Sequence, residues 1–183
     1  MYFTPRMVQL VADRYGYPPV ISINAPVSED EYDFIRSTQT FGRSHDVTMY
    51  IFKGSQVIVT AKHHYPKGLY RAPSGGLKPG EAFIEGVNRE AKEETGCKIR
   101  LKNYILQVNA AFSYGRRYIP WRSHVFTAQY VSGNIKPIDI REIREARLAD
   151  MAEFEDYEKI IDGLESGGLH YRARLHREVL KFL

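Results

Sequence analysis

Apolar positions recur at two spacings along the chain, and the change of spacing divides it. Residues 5–15 place Met7, Leu10, Val11 and Tyr15 at i, i+3, i+4 and i+8, one face of a helix. Ser28-Glu29-Asp30-Glu31 sets an N-cap residue before three acids and predicts a second helix, with Pro18-Pro19 separating the two. From Asp46 the texture turns to strand. Residues 47–52 and 57–60 are rich in β-branched and aromatic side chains and are joined by Lys53-Gly54-Ser55-Gln56, a hairpin signal. Glycine and proline then crowd into 73–80, and a helix is predicted over 82–95, stopped by Gly96 at its C′ position. Strands are expected at 99–111 and 122–131, connected through Gly115-Arg116-Arg117. Two further helices are expected at 153–164 and 171–183, divided by Ser166-Gly167-Gly168. This order reads as an α/β fold, a mixed sheet flanked by helices, with 1–45 as an N-terminal helical extension and 46–183 as the main domain.

Composition narrows the class. A chain of 183 residues with 43% hydrophobic and 26% charged positions suits one globular domain and excludes a disordered or collagenous chain. No run approaches the roughly 18 uninterrupted apolar residues of a membrane helix, so no membrane partner is expected. The start, Met1-Tyr2-Phe3-Thr4-Pro5-Arg6, has no basic segment leading into an apolar core, so a secretory signal is not expected. The single cysteine, Cys97, cannot form an intrachain disulfide. That fits a reducing, cytoplasmic setting and excludes a cysteine-built zinc site.

A net charge of +4 is too small to argue for nucleic acid. Its distribution is less even: residues 97–138 carry seven bases and no acid, whereas 139–165 carry ten acids against four bases. An acid-free basic stretch suits an anionic ligand such as a phosphate ester, and equally a solvated sheet face.

The chemistry concentrates between Gly75 and Cys97. Arg89, Glu90, Glu93 and Glu94 fall at i, i+1, i+4 and i+5 of the predicted helix and project over an arc of roughly 140°. Ile84, Val87 and Ala91 occupy the neighbouring arc, able to pack on a sheet. Glu81 stands at the mouth of the helix beside a loop whose Gly75 and Gly76 let backbone approach a ligand closely. Carboxylates and carbonyls are the donors hard divalent cations take, and magnesium keeps waters and substrate phosphates besides. A diphosphate facing four carboxylates needs such a cation between them.

The segment Gly75, five residues, Glu81, seven residues, then Arg89-Glu90-Ala91-Lys92-Glu93-Glu94-Thr95-Gly96-Cys97 resembles the complete box of the Nudix hydrolase family. At roughly 6–7% usage per residue, seven matches at fixed spacing arise by chance about once in 10⁸ placements. Ala91 and Cys97 are small where the family usually has a larger aliphatic residue. The resemblance implies a Nudix-type α/β/α sandwich around a mixed sheet, with N- and C-terminal helical additions. It implies hydrolysis of a nucleoside diphosphate linked to another group, with Mg²⁺ (or Mn²⁺) as cofactor. Glu90 and Glu94 would be the principal metal ligands and Glu93 a further one. Arg89 would hold the glutamates, Glu81 would support them or take another cation, and Gly75 would offer its carbonyl. The general base is open between Glu90, Glu142 and Glu145.

Outside the box the substrate is less defined. The proline that ADP-ribose pyrophosphatases tend to carry 15–16 residues past the box falls on Ala111 and Phe112 here, and the NADH-type array of Ser, Gln, Pro and Trp is absent. Tyr114 falls where dinucleoside polyphosphate hydrolases tend to have a tyrosine. Arg71, Arg116 and Arg117 are candidate phosphate clamps, with Tyr114 a candidate base-stacking residue at the rim of the metal site. The expected substrate is of the ADP-ribose, nucleotide-sugar or dinucleoside polyphosphate class. The alternatives are a triphosphate-sanitising pyrophosphatase and a non-catalytic nucleotide-binding module. RNA binding or decapping is a third reading, without the aromatic-rich platform RNA recognition uses. A homodimer built through the N-terminal elements is expected.

Overall fold

The computed structural model describes residues 3–183; Met1 and Tyr2, at the start of the expected extension, lie outside the described residues. Thr4 accepts from the Met7 amide and Pro5 opens the first turn of α1 (Pro5–Tyr15). α2 (Glu29–Ser37) begins with a full capping box between Ser28 and Glu31. The helical reading of the first 45 residues fails between these two helices. There β1 (Val20–Pro26) joins the central sheet, parallel to β5, with Val20 opposite Gln107 and Pro26 opposite Ser113.

The remaining strands are β2 (His45–Lys53), β3 (Gln56–Lys62), the two-residue β4 (Ser74–Gly75), β5 (Lys98–Tyr114), β6 (Arg117–Ser132) and β7 (Ile143–Ala149). Their order is β1-β5-β6-β2-β3-β7, with β4 annealed to β2. The β1–β5 and β2–β6 pairs are parallel and the others antiparallel, so the sheet is mixed. β7 lies within the charged run that showed no strand pattern. Only Ile143, Ala146 and Ala149 of it are buried, against the edge of β3.

Alternate residues of the central strands feed two cores. On one face Val47, Met49, Ile51 and Ile58 meet Val11 of α1 and Val87 and Ala91 of α3 (Phe83–Thr95). On the other, Tyr50, Val57, Val59 and Val108 meet Tyr32 of α2, Phe154 and Ile161 of α4 (Glu153–Asp162), and Leu175 and Val179 of α5 (Gly167–Val179). The result is an α/β/α sandwich in which β2 is covered on both sides, as its apolar run requires. Ser166 caps α5, so Gly167 and Gly168 lie inside its first turn rather than in a linker.

Two local devices position the box. Gly96 ends α3 at a φ of 73°, and a Cβ there would come within 2.3 Å of the Lys136 carbonyl, so glycine is required twice over. β4 pairs Gly75 with Val47 and Ser74 with Thr48, which pins the glycine-rich loop onto the middle of the sheet.

Candidate active site

Arg89 is the hub of the box. Its Nε and Nη2 donate to the two Glu81 oxygens at 2.8 and 2.9 Å. Nη1 reaches Glu90 at 2.8 Å and Glu93 at 2.9 Å, and Nη2 also reaches the Gly76 carbonyl at 3.0 Å. One guanidinium thus gathers three of the four box glutamates and the loop. The Glu81 carboxyl is held below its ordinary range, first by the Arg89 hydrogen bonds. Glu90 lies against bare backbone, since a Cβ on Gly75 would come within 2.0 Å of Glu90 Oε2. That close approach is what glycine supplies here.

Glu94 takes a different partner. Its Oε1 accepts from Arg71 Nη2 at 2.8 Å, and its Oε2 accepts from the Ser74 amide at 3.0 Å. Arg71 in turn donates to the Ala72 carbonyl and Ser74 Oγ. Arg71, a candidate substrate clamp by sequence, is therefore engaged with a box carboxylate. It also lines the cleft.

Burial pushes the Glu90 carboxyl above its usual range, with Arg89 opposing and Glu94 and Glu93 reinforcing. Burial does the same to Glu94 against Arg71. Two carboxylates destabilised in their charged form, beside a carbonyl-bearing glycine, are the oxygen donors a hard cation fits. Among the described residues no three acidic, histidine or cysteine side chains converge closely enough to form a ready cage; arginines occupy the acids instead.

The box opens into a cleft of about 820 Å³, walled by α2, β2, the glycine-rich loop and the start of α5. Glu142 lines it and forms an ion pair with Lys62 at 2.7 Å. Burial raises the Glu142 carboxyl, but Lys62 and Arg71 outweigh that and hold it low. Glu145 lies on β7 outside the cleft lining and accepts from Tyr70 at 2.8 Å.

Tyr114, Arg116 and Arg117 were expected at the rim of the site, and none lines this cleft. They sit at the tip of the β5–β6 hairpin. Glu29 of α2 accepts from Tyr114 at 3.1 Å and from Arg117 at 3.4 Å. The Arg117 guanidinium lies 4.8 Å from the Tyr32 ring centroid. Helix α2 therefore captures the tip, and Arg116 projects to solvent in the turn. The cleft wall is built instead from Trp121 and from Phe34, Phe112, Arg43 and Arg172, the last four of which the sequence did not single out. Arg172 Nη2 pairs at 2.7 Å with Asp46, only 2% exposed, a long-range contact with no local signature.

The glycine-rich loop and the acid-rich helix of this α/β/α sandwich thus close on one arginine. The chain belongs to the Nudix family: the family's NUDIX domain matches residues 42–165. Over 85 residues it is 29% identical to the NAD-capped RNA hydrolase NudC of Chromobacterium violaceum, covering 46% of this chain and 30% of that one. The chain thus spans under a third of that relative's length. A NUDIX hydrolase structure from Nitrosomonas europaea superposes at a TM-score of 0.48 with 21% identity, over 62% of this chain and 61% of the other. An ADP-ribose pyrophosphatase from Streptococcus suis gives 0.46 and 13%, over 75% and 92%.

Proposed function

We propose that the protein is a divalent-metal-dependent hydrolase that cleaves the pyrophosphate linkage of a nucleoside diphosphate joined to a second moiety. The observation that carries this reading is the convergence of Glu81, Glu90 and Glu93 on Arg89, with Glu90 packed on Gly75 at the floor of a nucleotide-sized cleft. Glu90, Glu93, Glu94 and the Gly75 carbonyl would hold Mg²⁺ or Mn²⁺. When bound, the metal supplies charge neutralisation for the diphosphate and a more acidic water. Arg89 keeps three carboxylates within one reach, and Arg71 holds the fourth buried and oriented. Glu142, kept ionised by Lys62 and open to the cleft, is the better placed of the two later acids to accept a proton from water. The cationic and aromatic walls suit an anion carrying a flat base.

Incubation with ADP-ribose, nucleotide sugars, dinucleoside polyphosphates, NAD-type dinucleotides and 8-oxo-dGTP, with Mg²⁺ or Mn²⁺, tests the reading by product identification. Preferred turnover of 8-oxo-dGTP by kcat/KM would overturn the substrate class. A second reading, a nucleotide-capped RNA, is favoured by a surface groove beside Arg89 lined by Lys92, Lys98 and Arg100. It predicts a steep loss of RNA retention with salt.

A further inference from the structure

Five lysines and arginines line the cleft among the described residues: Arg43, Lys62, Arg71, Arg141 and Arg172. Four of them have a carboxylate partner. Lys62 pairs with Glu142 at 2.7 Å, Arg71 with Glu94 at 2.8 Å, Arg172 with Asp46 at 2.7 Å, and Arg141 with Asp139 at 3.8 Å. Arg43 forms no such close ion pair among the described residues, although its charge also helps hold the buried Asp46 carboxyl low. Its Nε donates to the His45 carbonyl at 3.2 Å, and its terminal nitrogens donate to no acceptor among the described residues.

The position of Arg43 is nevertheless fixed. Its guanidinium carbon lies 5.4 Å from the Trp121 ring centroid, and a Cβ on Gly76 would come within 2.4 Å of it. The group is thus held against an indole and against the bare backbone of the glycine-rich loop, one residue from the Gly75 that floors Glu90. A half-buried cation held in this way, with its terminal fork open to the cleft, has the geometry of a bidentate receptor for two oxygens of a phosphate. Its guanidinium is tied through Nε to the His45 carbonyl, so little further ordering is needed when the anion arrives.

We propose that Arg43 is the phosphate-binding, specificity-determining residue of this cleft, and that Trp121 and Gly76 are its positioning elements. The ligand class is a diphosphate or its ester, held by the Arg43 fork beside Glu90, the box carboxylate that lines the same cleft. This rests on reading the cleft as a pyrophosphate-hydrolysing site. It gives Gly76 a role separate from that of Gly75: Gly75 makes room for a carboxylate, Gly76 for a guanidinium.

Methylenediphosphonate, a diphosphate that cannot be hydrolysed, is the probe, titrated by calorimetry in Mg²⁺. Trp121 is the only tryptophan in the chain, so its emission reports whether the ligand arrives at Arg43. The wild-type protein is expected to bind with a saturable change in Trp121 emission. Arg43→Ala is expected to raise Kd at least tenfold with an unchanged melting temperature. Arg43→Lys, which keeps the charge and loses the fork, is expected to fall between the two and carries the test if the alanine variant does not fold. With the best substrate, Arg43→Ala and Trp121→Leu should raise KM while kcat holds within threefold, and Trp121→Phe should restore KM. Diphosphonate binding by Arg43→Ala within twofold of wild type, or wild-type binding that leaves Trp121 emission unchanged, overturns the proposal. Absence of turnover on every nucleotide substrate would instead sink the assigned reaction, leaving the diphosphonate titration to decide Arg43 by itself.

Discussion

Arg71 and Glu94 form an ion pair at 2.8 Å with side chains only 7% and 4% exposed, joining the segment before the glycine-rich loop to the last turn of α3. Solvent does not screen such a pair, and removing one partner strands the other charge inside. Arg71→Met should therefore lose about 3–5 kcal/mol of stability. At roughly 2–4 °C per kcal/mol for a chain of this size, the melting temperature should drop by about 10 °C. A drop below about 2 °C in a thermal melt would show that the pair is not buried in solution.

Glu90→Gln separates chemistry from stability. Its side chain is 18% exposed and shares Arg89 with Glu81 and Glu93, which remain as partners in the variant. Turnover of the best substrate should fall by two orders of magnitude or more, with the melting temperature nearly unchanged. Chelation by EDTA should abolish the wild-type activity, and added Mg²⁺ or Mn²⁺ should restore it. Activity within tenfold of wild type for the variant would remove Glu90 from the metal-ligand set.

The two later acids predict opposite outcomes. Glu142→Gln should lower kcat by at least tenfold and alter the acid limb of the pH–rate profile, because Glu142 lines the cleft and is kept ionised by Lys62. Glu145→Gln should leave kcat within twofold, since Glu145 is engaged by Tyr70 on the outer strand. Equal effects of the two substitutions on kcat would refute this division.

Three buried histidines set the acid limit of the fold. Burial lowers His45 and His176 to about 4 and His124 to about 3 from an ordinary value of 6.5. The unfolded chain takes up protons near pH 6.5 while the folded chain refuses them until about 4. Stability should therefore be unaffected above pH 6.5 and fall as pH drops through the interval between, by on the order of 3 kcal/mol for a single histidine. His176, whose Nδ1 shares a hydrogen bond with Tyr50 and whose ring stacks on Phe154 at 4.0 Å, is the test case. Urea unfolding of His176→Phe at pH 7.5 and pH 5 should show a smaller difference than the wild-type protein does.

Assembly is tested by light scattering at tens of micromolar, with a homodimer expected through the N-terminal elements. Among the described residues the outer edge of β1 is unpaired, with Val20 exposed at its start. A monomer at that concentration would overturn the dimer.

Much of this architecture could be read before folding was considered. The 47–60 hairpin, the Ser28 cap and the helix ended by Gly96 rest on local signals, and the structure contains each of them. β1 eluded the sequence because it follows two prolines and gains its hydrogen bonds from residues 107–113, far away in the chain. β7 eluded it because Arg144, Glu145 and Arg147 fill the positions that would show an apolar alternation on a sheet interior. In the site, the box motif named every acid that Arg89 gathers, since all lie on one helix or its entry loop. Arg43 and Arg172 carry no motif; only folding brings them to the cleft.

Glu31 accepts from Ser166 Oγ at 2.6 Å and from the Gly167 and Gly168 amides at 3.1 and 3.2 Å, so α2 caps the first turn of α5. These residues lie on opposite sides of the 42–165 region that matches the family, and each flank also contributes cleft wall, through Phe34 on one side and Tyr171 and Arg172 on the other. The two flanks are therefore joined to each other through Glu31. A chimera that exchanges both flanks together should inherit a new substrate preference while retaining the parent's metal requirement, whereas exchange of either flank alone should lose the Glu31 contacts to Ser166, Gly167 and Gly168 and lower the melting temperature.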